Sequence, residues 1–156
     1  MLFTFGYEGL TIDRFIARLK ETGIKTIIDV RELPLSRKKG FSKRSLAENL
    51  RSAGIAYAHM PALGCPKNIR NDYKENSNWD AYTKSFNAYL KTQPSVINEL
   101  AKIADSTSAC LICFEADFNL CHRSLVARAC TKAHGTPVTH VMAKTTFVEL
   151  PARAVA

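Results

Sequence analysis

From Leu111 the chain reads Leu111-Ile112-Cys113-Phe114-Glu115-Ala116-Asp117-Phe118-Asn119-Leu120-Cys121-His122-Arg123-Ser124, which brings two thiols, two carboxylates, an imidazole and a guanidinium into one short passage. Each type has a chemical use. Cys121 falls at the start of an amphipathic stretch, and a thiol in the first turn of a helix is favoured as the thiolate nucleophile. Glu115 can serve as general acid or base. Arg123 offers a planar fork suited to phosphate or carboxylate; its internal alternative is a pair with Asp117 or Glu115. Asn119 suits an N-cap, which would leave the amides of Leu120, Cys121 and His122 free to bind an anion.

Cys121 and His122 make a geometrically poor dyad, because neighbours along a helix point about 100° apart and do not face each other. His122 shares a face with Leu125, Val126 and Ala129 and should lean toward the sheet, so the better bases for Cys121 are His59 and Glu115. Cys113, at the end of a buried strand, is a candidate for catalysis with inert packing as its competitor. Cys110 and Cys130 fall on core positions and read as small hydrophobes. The ligand types of Cys113, Cys121 and His122, with Cys65 or His59, suit zinc, but no C-x-x-C or H-x-x-x-H pair is present, so zinc is not favoured and no metal ligand is assigned. Which cofactor, if any, the site takes is not legible in the residues.

The elements that must position these groups alternate strand and helix, which predicts an α/β fold: a single three-layer domain over 1–156, with a mostly parallel central sheet flanked by helices. Strands are expected at Leu2–Gly6, Lys25–Val30, Ile55–His59, Ala109–Phe114 and Val138–Met142. Helices are expected from the N-cap Thr11 to Gly23, from Ser42 to Gly54, around Trp79–Leu90 and Val96–Ala104, and over Leu120–His134 up to Gly135. The stretch from Met60 to Asn78 reads as a long polar loop, a common place for function. The tail from Ala143 either adds an edge strand around Thr146–Val148 or frays.

The residues at the strand ends are more telling than any one motif. If the strands are parallel, Tyr7, Glu8, Asp29, Arg31, His59 and Glu115 converge on the carboxyl edge of one sheet, where open α/β sheets bind ligands.

At 156 residues with 46% hydrophobic and 23% charged residues, the chain has the composition of a globular domain. Met1-Leu2-Phe3-Thr4-Phe5 lacks the basic start of a signal peptide, and no apolar run reaches the roughly 20 residues of a membrane span. Five irregularly spaced cysteines do not read as a disulfide framework, which points to a reducing, cytoplasmic home. A net charge of +8, concentrated at Arg37-Lys38-Lys39, Lys43-Arg44 and Lys67 to Lys74, favours polyanionic partners, although a solvated basic face accounts for it equally well.

Gly6-Tyr7-Glu8-Gly9, Asp29-Val30-Arg31 with Pro34 and Ser36-Arg37, Tyr57 through Leu63-Gly64, and Cys113-Phe114-Glu115 with Cys121-His122-Arg123 together resemble the domain-of-unknown-function family 488. The resemblance runs through nearly the whole chain in order and implies a compact α/β domain with no assigned activity. Its motif residues carry over to Tyr7, Asp29, Arg31, Arg37, Tyr57, Gly64, Cys113, Glu115, Cys121, His122 and Arg123. One departure is Cys65, where the family commonly has a second glycine. A weaker analogy links Ile28-Asp29-Val30-Arg31, Cys113 and Arg123-Ser124 to rhodanese-type sulfur transferases, but the loop before Arg123 is long and acidic for a sulfur cradle.

The leading expectation is therefore a pocket at the sheet's carboxyl edge that binds a phosphate-bearing ligand, nucleotide or nucleic acid. Tyr7, Asp29, Arg31, Arg37, Tyr57, His59, Gly64 and Arg123 would bind it, and Glu115, Cys121, His122 and Cys113 would supply acid-base or thiol catalysis. The alternatives are a non-catalytic nucleic-acid-binding module and a rhodanese-like sulfur transferase. Oligomeric state is not legible in the residues.

Overall fold

The computed structural model describes residues 1–151; the last five residues of the expected 1–156 domain lie outside the described residues. Six strands form one sheet in the order β3-β2-β4-β1-β5-β6: β1 (Leu2–Gly6), β2 (Thr26–Asp29), β3 (Ala56–His59), β4 (Ala109–Cys113), β5 (Val138–Val141) and β6 (Thr146–Glu149). All neighbours run parallel except β5 and β6, so the tail supplies an antiparallel edge strand.

Central β1 and β4 are buried along their whole length, as a strand covered on both faces must be. Alternation along β4 sends Cys110 and Ile112 to one core and Ala109 and Leu111 to the other. The first core takes Phe15 and Leu19 from α1 (Ile12–Glu21) and Leu46 and Leu50 from α2 (Lys43–Ser52). The second takes Phe86 from α4 (Trp79–Leu90), Leu100 from α5 (Pro94–Ser106) and Val126 from α6 (His122–His134). The result is the expected three-layer α/β arrangement. Among the described residues, no helix is long and apolar enough to cross a membrane.

The caps explain most of the boundaries. Thr11 Oγ1 accepts the amide of Arg14 and starts α1, and Gly135 takes the left-handed turn that ends α6. Ser42 starts α2 as expected but makes no side-chain cap. Its hydroxyl instead donates to the Ser36 carbonyl and accepts the Ser36 amide, folding the basic segment back on itself.

The expected polar loop from Met60 to Asn78 contains α3 (Lys67–Asn76). Only Ile69 in that helix is buried, so the apolar spacing that announces a helix is missing from it. Chain connections leaving β1 and β2 pass to the face of α1 and α2, while those leaving β3 and β4 pass to the opposite face. Beside β4, the carboxyl ends of neighbouring strands therefore lead apart, and a cleft opens between them.

Candidate functional site

A cleft of about 390 Å³ lies at this edge, lined by Tyr7 after β1, Arg31 and Glu32 after β2, Cys113 and Glu115 after β4, and Cys121 and His122 at the start of α6. Register brings these segments together: Gly6 pairs with Cys113, and the amides of Tyr7 and Glu8 continue the ladder to the carbonyls of Cys113 and Phe114. Gly6 is required there. A Cβ at this position would lie 1.7 Å from the Glu115 carbonyl oxygen and 3.0 Å from the Arg123 guanidinium.

At the base of the cleft the sulfurs of Cys113 and Cys121 lie in contact, with their Cα atoms 7.8 Å apart. Glu115 Oε2 is 3.4 Å from each sulfur. His122 Nε2 is 2.8 Å from the Val30 carbonyl, which can only accept, so Nε2 carries the proton and Nδ1 keeps a lone pair. That lone pair faces Cys121 Sγ at 3.9 Å. Burial lowers the His122 pKa, which keeps the ring neutral and Nδ1 an acceptor.

The expectation that Cys121 and His122 cannot face each other fails for a local reason. Cys121 is not helical: it is the N-cap of α6, with φ −137° and ψ 140°. Asp117 and Asn119 belong to a separate short 3-10 turn over Phe118–Leu120, capped by the Asp117 carboxylate accepting the Asn119 amide. Asn119 is therefore not the N-cap of the long helix.

The arginines expected to hold an anion are committed internally. Arg31 gives Nε and Nη2 to the two Asp29 carboxylate oxygens at 2.8 and 2.7 Å, and Nη1 to Tyr7 Oη and the Phe41 carbonyl. Burial works against this charge, yet the Asp29 carboxylate more than compensates and raises the Arg31 pKa. Tyr57 donates to Asp29 Oδ2 at 2.6 Å, and burial with that bond raises the phenol's pKa. His59 reaches the Arg31 carbonyl at 2.7 Å rather than a thiol.

Arg123 is fully buried. It donates to the Glu115 carbonyl, to the Ala116 carbonyl at 3.3 Å and to Cys113 Sγ at 3.2 Å. Burial lowers its pKa to about 10. It pairs with neither the Asp117 nor the Glu115 carboxylate, and its place is behind the thiols, not in the cleft. Gly64 is needed for contact between loops: a Cβ there would stand 2.6 Å from the Glu32 nitrogen. Arg37 is exposed on the basic segment and does not line the cleft.

Several lining residues escaped the sequence reading. Arg70 and Lys74, one turn apart on α3, face the cleft, with Arg70 held 3.4 Å from Glu32. Trp79 and Tyr82, in the helix expected around Trp79–Leu90, form a stacked wall with centroids 4.6 Å apart. The basic stretch Lys67 to Lys74 marks Arg70 and Lys74 as charge, but no local signal places them at the cleft, since the helix carrying them has almost no apolar face. Cys110 and Cys130 are buried and unpaired, as expected, and burial raises both thiol pKa values, Cys130 to about 11.

No curated protein and no solved structure gives a significant match to the chain. A family match does exist, and it covers strands β2, β3 and β4 and the Cys-His-Arg turn. Through residues 11–130, the chain belongs to the family described as domain of unknown function DUF488.

Proposed function

We propose that the protein is an enzyme that binds a phosphate-bearing molecule with a planar ring, a nucleotide or a nucleic-acid end, in the carboxyl-edge cleft. The observation that carries this is the shared cleft of Arg70 and Lys74 with the stacked Trp79–Tyr82 wall and the exposed Glu115 carboxylate. Cations suit the phosphate, an aromatic face suits a base, and Glu115 supplies the acid-base group a mere binding module would not need. Exposed Arg37, Lys39, Lys43 and Arg44 extend the basic surface to a longer polyanion.

Trp79 is the only tryptophan, so its emission reports the cleft directly. Titration with mono- and dinucleotides should quench it, and R70A/K74A should weaken binding by about 10–100-fold, the worth of charge-assisted contacts. Absence of any nucleotide effect on wild type sinks the reading. E115Q should keep binding and lose turnover.

Sulfur transfer is the second reading, favoured by the Cys121 thiol facing the Nδ1 lone pair of His122. It requires a cyanide-labile persulfide on Cys121 or Cys113 after treatment with thiosulfate. An intact mass with neither sulfur modified removes it.

A further inference from the structure

We propose that Cys113, Cys121 and His122 form a mononuclear zinc site whose fourth position opens into the cleft. Cys113 Sγ, Cys121 Sγ and His122 Nδ1 all lie within 4.8 Å of one another, the spread of ligands that share one ion at about 2.0–2.3 Å each. Two thiolates and an imidazole are the soft and borderline donors that select zinc over magnesium or calcium.

The surroundings carry the inference beyond proximity. His122 donates its Nε2 proton to the Val30 carbonyl, which fixes the tautomer and aims the Nδ1 lone pair at the two sulfurs. A ligating histidine is held in this way by its outer neighbours. Arg123, fully buried, places Nη1 3.2 Å from Cys113 Sγ and offsets thiolate charge at the closed side of the site. The Cα separation of 7.8 Å is wider than a relaxed disulfide spans, so the paired sulfurs suit a shared ion better than a direct bond.

On the cleft side stands Glu115, exposed and 3.4 Å from both sulfurs, where its carboxylate or a water can take the open position. Two thiolates, one zinc ion, Arg123 and Glu115 together sum to zero charge. The spacing that spoke against zinc came from local motifs. Here the loop from Phe114 to Leu120 returns the chain so that a strand end and a helix N-cap meet. The site does not depend on which molecule the cleft binds.

Cobalt(II) titrated into the reduced, metal-stripped full chain provides the test. One equivalent should give a thiolate-to-cobalt charge-transfer band with the visible bands of a four-coordinate ion, and zinc should bleach both. C113S and C121S should each reduce the charge-transfer band by about half, and H122Q should weaken binding at least tenfold. Reduced wild type with no charge-transfer band overturns the site, as does a band unchanged in both serine variants. Should a serine variant fail to fold by circular dichroism, alkylation of wild type decides: zinc must slow labelling of Cys113 and Cys121, and unchanged labelling refutes it. R70A/K74A should bind cobalt like wild type, so loss of nucleotide binding and loss of metal are read separately.

Discussion

His122 and His140 sit close to the same sheet, and burial pushes both below the ordinary histidine range. They nevertheless do opposite things. His140 is fully buried and uses both nitrogens, Nδ1 on Thr4 Oγ1 at 2.7 Å and Nε2 on Glu149 Oε2 at 2.8 Å. Its ring stacks on Phe118 with centroids 4.1 Å apart. Arg128 then closes the network on Glu149 at 2.7 Å. Hydroxyl, imidazole and carboxylate in a row look like a catalytic relay, but every polar atom of the ring is spent inside the protein. His122 spends only one nitrogen, on Val30, and presents the other to two thiols beside a cleft. A spare lone pair with an open approach separates a candidate site from a well-satisfied core.

That contrast can be broken at the backbone on which the site rests. Gly6→Ala should have the largest effect, because the new Cβ meets a backbone carbonyl and not a flexible side chain. Overpacking of this kind costs about 3 kcal/mol or more, which lowers Tm by roughly 10 °C in a chain of this size. A Tm within a degree of wild type in a thermal melt contradicts the close approach.

His140→Leu should cost about 2 kcal/mol by leaving Thr4 and Glu149 short of a partner, while cobalt binding and nucleotide quenching stay as in wild type. Any change in the cobalt spectrum would couple two regions that share no hydrogen bond. His122→Gln should reverse the pattern. It loses about 1 kcal/mol of stability with the Val30 hydrogen bond, yet it changes the metal spectrum.

The pH dependence gives the smallest and most specific contrast. Because folding lowers the His140 pKa, the unfolded chain takes up that proton first as the pH falls. Its contribution is fully present above about pH 6.5 and is lost progressively below it. Glu149, held low by its bond from Arg128 and then by His140, loses stability in the same direction at still lower pH. Denaturant midpoints of wild type should therefore fall between pH 7 and 5, and those of His140→Leu should fall less. Parallel curves for the two proteins would remove His140 as the cause.

Much of the architecture was legible because strands and helices carry their own periodic burial. The apolar run of β4, the Thr11 cap and the Gly135 stop each act within a few residues, and each appears where its local pattern places it. The convergence of Tyr7, Arg31 and Glu115 was also readable, since parallel strands bring their carboxyl ends to one edge. Helix α3 was not, because a helix resting on the protein by one buried residue shows almost no period.

The sequence by itself determined the α/β class, the family and the edge at which the candidate groups collect, since these follow from short-range patterning and from ordered motifs. Only the tertiary structure decided what each group is free to do there. Arg31 and Arg123 are turned inward by partners that a linear reading cannot assign. Cys121 faces His122 because its backbone is extended at the end of a returning loop. Side-chain availability depends on contacts between distant segments, and those exist only once the sheet has set its register.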